Sequence, residues 1–271
     1  VFYGGRASMT DETWARIRGL LAGTQPDSIE EGLGLLEAEI DRIGPDEAEA
    51  LLEIVSPLFY IDTLDHPELV PALDRALSLT ARLGDRLIPL LVKRLDAADM
   101  KAQWAIAHAL GRVGPPAVPP LIKAYESATD TMMHAFILYA LGKTRSEEVV
   151  RAVPLALEAA ASPNIELRDT ATRALGKFAE SIPPGRLPAE LRRRCLERLQ
   201  ENLADEEPSV RAKAVRSMGK LARHGHLTEG ERGTLRVICR NLTGEDVSGE
   251  WDRAYIVRKE AAEALGWLEP R

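Results

Sequence analysis

What this 271-residue chain lacks narrows it before anything it contains. It has two cysteines, Cys195 and Cys239, without CxxC or Cys/His spacing, so nothing suggests a disulfide framework or a zinc site, and a reducing, cytoplasmic setting is expected. Aromatic residues make up 5% of the sequence, while Ala, Leu, Glu and Arg dominate, a balance that favours helices over sheets. No stretch approaches the roughly 18–20 apolar residues of a membrane span, and VFYGGRAS has no signal-peptide apolar run. GxGxxG after a strand, GxxxxGK[ST], HExxH and GxSxG are all missing. The expectation is a non-enzymatic chain with no cofactor, no metal and no membrane. A net charge of −7 disfavours nucleic acid as a partner of the whole chain.

The charge is unevenly spread. Residues 1–144 hold 13 Lys/Arg against 21 Asp/Glu, whereas residues 186–240 hold 13 against 8. An acidic front and a mildly basic rear suit an elongated polar molecule. Thr10 precedes Asp11 and Glu12 as the N-cap of a first helix, and residues 1–9 are set aside as an N-terminal extension.

What the sequence does have is a repeated phrase. Gly111, Gly142, Gly176, Gly219 and Gly266 each follow a small residue and Leu or Met, at spacings of 31, 34, 43 and 47 residues. Apolar or small residues recur 9, 5, 2 and 1 positions before each Gly, a period near 3.6 that predicts one buried helical stripe. The Gly is expected to end its helix in a left-handed turn. Eight before it stand Gln103, His134, Arg168, Arg211 and Arg258, and six before each Arg stand Ser162, Asp205 and Asp252. These short polar residues are expected to cap the incoming helix, and each Arg to reach back to its own cap or across to that of the next repeat, as an Asp–Arg ladder. Between the phrases lie second helices at 86–97, 115–127, 147–160, 188–203 and 228–242. Their prolines, Pro89, Pro119, Pro120 and Pro154, are expected to shape or kink the first turns.

The alternation of DxxPxVRxxAxxALGxxG-like helices with proline-entered second helices resembles HEAT repeats, including the short HEAT-like repeats of phycobilisome lyases. The resemblance covers 97–271 well, and the segment 10–96 holds a capping helix at 10–22 and degraded repeats over 28–96. It implies an all-α, right-handed α-solenoid of stacked antiparallel helix pairs, running as one solenoid over 97–271.

Candidate functional residues are fewer. His134 is expected to substitute for a ladder Arg and His66 to start a helix. His108 falls in a polar slot, and His224 and His226 lack a third metal ligand. Ten acids against Arg42 between Asp27 and Glu53 predict a solvated helix face whose repulsion favours a basic partner. Arg232, Arg236 and Arg240 form one stripe opposite Leu235 and Cys239, and Arg192 and Arg193 lie on the preceding second helix. The resemblance places second helices on a concave face, implying a groove for an acidic protein partner. The acidic loop 243–252, which ends near Trp251, reads either as an insertion whose Trp251 reaches a partner or as a packed spacer. A phosphate-binding surface, and a solvated face paired with Glu197, Glu201 and Glu231, stay open beside it. The helix 253–268 is a first helix, so either it is amphipathic enough to act as its own cap or a homodimer or partner covers it. The function expected is a protein-binding module, scaffold or assembly factor. The alternatives are a bilin lyase or chaperone, which the resemblance implies, and nucleic-acid binding through the basic stripe.

Overall fold

The computed structural model describes residues 10–95, 99–245 and 251–268; among them are fourteen α-helices, several 3-10 turns and no strand. The all-α, HEAT-like solenoid expectation holds. The extension 1–9 and the middle of the loop 243–252 lie outside the described residues. The chain divides into two compact units, Val1–Ala124 and Tyr125–Arg271. The division drawn at 96/97 marks where the repeated phrase begins.

The amino-terminal unit contains α1 (Asp11–Leu21), α2 (Pro26–Glu39), α3 (Pro45–Val55), α4 (Val70–Arg82), α5 (Ile88–Arg94) and α6 (Met100–Val113), and the unit boundary falls within α7 (Val118–Ser127). Thr10 caps α1 as expected, its hydroxyl accepting from the Thr13 N–H at 3.3 Å. Helices α2, α4 and α6 pack in series. The carboxy-terminal unit contains α8 (Thr131–Leu141), α9 (Val153–Ala159), α10 (Ile165–Ser181), α11 (Ala189–Glu201), α12 (Pro208–Arg223), α13 (Glu229–Thr243) and α14 (Tyr255–Leu268). Here α8, α10, α12 and α14 stack in series, and α9, α11 and α13 pack against that layer. The predicted stripe is the core of the stack: Leu167, Ala171 and Ala174 of α10 and Val257, Ala261 and Ala264 of α14 are all buried.

The repeated glycines correct the sequence expectation. Gly111, Gly176, Gly219 and Gly266 lie inside their helices, and Gly142 follows α8 with right-handed φ and ψ. Positive φ is adopted elsewhere, by Gly114, Gly225 and Gly244 among others, and Gly244 makes the left-handed cap of α13. The repeated Gly is there for close approach. A Cβ on Gly176 would stand 2.4 Å from Ser217 Oγ and 2.8 Å from Ser217 Cα, and one on Gly219 would stand 2.9 Å from the Trp267 ring. Gly176 and Gly219 are thus seats into which the next helix of the stack settles.

The prolines share one device. Helices α4, α5, α7 and α9 each follow a 3-10 turn and carry Pro as their second residue, at Pro71, Pro89, Pro119 and Pro154. The ring sits where its missing N–H costs no helical hydrogen bond, so it fixes the start of the helix without kinking its interior.

Candidate functional site

The ladder forms, and it is structural. Arg168 grips Asp205 of the next repeat through Nε at 2.6 Å and Nη2 at 3.1 Å, while its Nη1 donates to the Ser162 carbonyl at 2.7 Å. Arg211 repeats this on Asp252, at 2.7 and 2.9 Å, with Nη1 on the Asp205 carbonyl at 2.8 Å. Each aspartate also accepts the N–H two residues on, Asp205 from Glu207 at 2.9 Å and Asp252 from Ala254 at 2.8 Å, which fixes the turn into its helix. Burial works against the Asp205 carboxylate, but the Arg168 and Glu207 bonds outweigh it and hold its pKa below the usual range. For Asp252 the Arg211 bond is the leading cause of the same lowering. Side-chain exposure is 17% for both arginines and below 10% for both aspartates, so these bidentate pairs are largely desolvated. Removing one member costs about 3–5 kcal/mol. Gln103 and His134 fill the same slot but bond only the segment before their own helix: Gln103 donates to the Leu95 carbonyl at 3.0 Å, and His134 Nε2 lies 3.1 Å from the Ala128 carbonyl.

The arginines singled out as a partner surface have mostly internal partners. Arg192 pairs with Glu231 at 2.7 Å and Arg193 with Glu190 and Glu197 at 2.7 and 2.6 Å. Arg232 donates to the Ala222 carbonyl at 2.8 Å, and Arg236 to the Leu268 carbonyl at 3.0 Å, where it caps the end of α14. Arg240 is exposed and has no side-chain partner among the described residues. Trp251 is exposed too, with the Arg258 guanidinium 4.7 Å from its ring centre. The acidic run at Asp27–Glu53 keeps exposed glutamates, and part of it carries internal partners. Arg75 bridges Glu30 and Glu37, each at 2.7 Å, and Arg82 pairs with Glu37 at 3.2 Å, so the acids of α2 are matched by arginines of α4. Of the loop histidines, His226 is buried with Nε2 at 2.9 Å from the Ala179 carbonyl, and burial lowers the pKa of His224. Among the described residues no three metal-ligating side chains converge, and no helix is long and apolar enough to cross a membrane.

The site that sequence reasoning missed lies in the amino-terminal unit. A cleft of about 460 Å³ opens between α4, α6 and the segment 59–64. Its apolar lining includes Phe59, Leu64, Val70, Leu77 and Trp104, of which Leu64, Val70 and Trp104 also reach the surface. Its rim is charged and already paired: Lys101 binds Asp62, and Arg112 binds Asp74 while donating to Ser78 Oγ at 2.5 Å. The Lys101 bond leads in lowering the Asp62 pKa, and Asp62 raises that of Lys101 in return. The cleft therefore offers apolar contact area inside a neutralised polar rim. His108, expected in a polar slot, lines it. The only signal in the sequence is an apolar Leu64 among acids in a stretch without helical period, because the walls come from segments about 40 residues apart.

No family model matches the sequence, and no curated protein matches it. Solved structures do. The complex of CpcE and CpcF of phycocyanin lyase from Nostoc sp. PCC7120 is 20% identical over 66% of this chain and 97% of that chain, with a TM-score of 0.52. The karyopherin Kap121p bound to Nup53p is 13% identical over 96% of this chain, with a TM-score of 0.65, and this chain spans 29% of the karyopherin's length. Kap121p bound to the SUMO protease Ulp1p gives the same figures. At such identities the likeness concerns the fold alone: the chain has the HEAT-repeat fold.

Proposed function

We propose that this chain is a non-enzymatic protein-binding module that holds its partner through the cleft between α4 and α6. The observation that carries this reading is the cleft itself. Exposed Leu64, Val70 and Trp104 form an apolar floor that water solvates poorly, and the rim charges cancel each other locally. Such a floor takes one or two apolar side chains of a partner. The structural neighbours lend support of a general kind, since the karyopherin structures hold Nup53p or Ulp1p and CpcE is bound to CpcF. Nucleic acid is disfavoured because most arginines of the proposed stripe already carry internal partners, and few remain to displace counterions.

The test is recovery of partners from the native host with tagged chain and with a Leu64→Glu variant, followed by mass spectrometry. Leu64 is almost fully exposed, so the substitution leaves the fold intact. At least one protein recovered with the unmodified chain is expected to be lost with the variant. Partners recovered equally with both would refute the cleft as the binding site. A second reading, a bilin-handling protein, draws on the likeness to the CpcE–CpcF complex. It predicts a visible absorbance change on mixing with free bilin, and an unchanged spectrum removes it.

A further inference from the structure

The first helices of the carboxy-terminal stack are joined by ion pairs as well as by the ladder, and one junction lacks its acids. Between α10 and α12, Lys213 binds Asp169 and Lys220 binds Glu180, the latter at 2.8 Å. Between α12 and α14, Arg216 binds Glu260 at 3.1 Å. Between α8 and α10 the corresponding acids are replaced. The slot of Asp169, seven before the repeated Gly, holds Ala135 on α8, and the slot of Glu180, four after it, holds Ser146. The cations stay. Lys143, Arg173 and Lys177 line a depression between these two helices, and no carboxylate lines it. Gly142 and Ala174 line it too, where longer side chains would fill it. Lys143 Nζ and Arg173 Cζ stand 5.2 and 4.9 Å from the centre of the Tyr139 ring, so the ring holds two positive charges within about 10 Å of each other. Lys177 shares Glu180 with Lys220, at 2.7 Å, so one acid serves two lysines. Two hydroxyls complete the lining. Thr170 makes no side-chain hydrogen bond among the described residues, and burial keeps the Tyr139 hydroxyl protonated, raising its pKa against the opposing effect of Arg173.

We propose that this depression binds the head of a phosphate monoester, carried by a small molecule or by a phosphorylated protein side chain. The depression holds about 10 Å³, room for one oxygen atom and not for a whole ligand. One oxygen of a tetrahedral head enters it, and the others meet the cations and hydroxyls at its rim. A carboxylate brings one charge and two oxygens, whereas a phosphate monoester brings a charge of about −1.5 to −2 and three strong acceptors, which matches three cations and two hydroxyl donors. The neighbouring junctions speak for a single anion rather than a polyanion such as nucleic acid. There Asp169, Glu180 and Glu260 already answer Lys213, Lys220 and Arg216, so the unmatched positive charge does not continue from helix to helix. This site lies on other helices than the cleft between α4 and α6, and either can fail without the other.

Phenyl phosphate serves as the probe, its phosphorus resonance followed as the full chain is titrated in at low salt and a pH where the ester is a dianion. A saturable shift is expected. Lys143→Gln and Arg173→Gln should each weaken binding about tenfold or more, and Arg216→Gln, whose cation is answered by Glu260, by less than about twofold. A probe resonance that does not move up to about 10 mM chain-to-ligand affinity, or one that moves equally with the unmodified chain and Lys143→Gln, overturns the proposal. The first of these results needs no variant at all. Benzoate that displaces the probe at equal concentration overturns the choice of a phosphate over a carboxylate. Competition separates the two sources: a short phosphoserine peptide about tenfold stronger than inorganic phosphate assigns the site to a phosphorylated side chain, and equal competition assigns it to a small phosphate-bearing molecule, both supporting the site. Single-stranded DNA that displaces the probe, with a loss in Arg216→Gln as large as that in Arg173→Gln, would lay a polyanion across several helices and overturn the single-anion site.

Discussion

At the scale of single residues, the stack holds charges as well as small side chains in its interior. Lys220 of α12 is buried beside Glu180, 2.8 Å away, and Glu180 also binds Lys177 at 2.7 Å. Burial is the leading cause of a Lys220 pKa pushed down from 10.5 to about 8, with Glu180 opposing it and Lys177 and Arg216 adding to it. The native state therefore sheds this proton at lower pH than the unfolded state does. Below about pH 8 both states keep it and the burial penalty is constant. Between about 8 and 10.5 the unfolded chain binds more protons, so stability rises with pH. The difference in unfolding free energy between the unmodified chain and Lys220→Met should grow by roughly 3 kcal/mol across that window. Urea unfolding of both at pH 7.5 and 10.5 measures it, and a difference that stays flat would mean that Lys220 remains solvated. Nothing in local sequence marks this lysine, because its position in the phrase, one after the Gly, is filled by Arg112, Lys143, Lys177 and Trp267 elsewhere. Asp205 and Asp252, by contrast, are legible in the sequence, since their spacing to Arg211 and Arg258 repeats.

At the scale of helices, glycine has opposite consequences in the two layers of the carboxy-terminal unit. In a helix interior Gly costs about 0.5–1 kcal/mol relative to Ala, so replacing it should stabilise wherever space allows. A Cβ on Gly233 of α13 would meet nothing within 4 Å, and Gly233→Ala should stabilise by up to about 1 kcal/mol. Gly176 of α10 has the backbone of Ser217 at 2.8 Å, so Gly176→Ala must push α12 away and should cost about 1–3 kcal/mol net. Thermal melts of the two variants should move in opposite directions, and a stabilised Gly176→Ala would show that the α10–α12 approach is looser than these distances require. The periodic small residues announce this packing, and the stripe of apolar positions is buried as its spacing requires. Where the sequence misleads is the end of the helix. A Gly after Ala-Leu has the look of a left-handed cap, but residues 177–181 carry Lys177, Phe178 and Ala179 onward at helical spacing, and Phe178 and Ala179 are buried. The cleft between α4 and α6 is illegible for a different reason. Phe59, Val70 and Trp104 come from three segments, and no periodic pattern relates them.

At the scale of the whole molecule, stability in a stack of repeats is a sum of local terms and nearest-neighbour interfaces, so cooperativity need not extend from end to end. The two compact units are held by different means. In the carboxy-terminal unit, desolvated Arg–Asp rungs and glycine seats join α10, α12 and α14. In the amino-terminal unit, the ion pairs between α2 and α4 are largely exposed, a class worth about 0–1 kcal/mol each, and an open cleft replaces packed core beside α6. The amino-terminal unit should therefore unfold first, and urea unfolding should depart from a single two-state transition. Fluorescence offers one probe in each unit. Trp14 and Trp104 lie in the first and Trp251 and Trp267 in the second, so single-tryptophan versions of the chain separate the two. The Trp104 signal is expected to change at lower urea than the Trp267 signal. Gly176→Ala should then lower the second midpoint and leave the first within error, because α10 and α12 both belong to the carboxy-terminal unit. Coincident transitions that Gly176→Ala shifts together would show instead that the rungs and seats act through the entire chain, with the ladder setting the stability of both units at once.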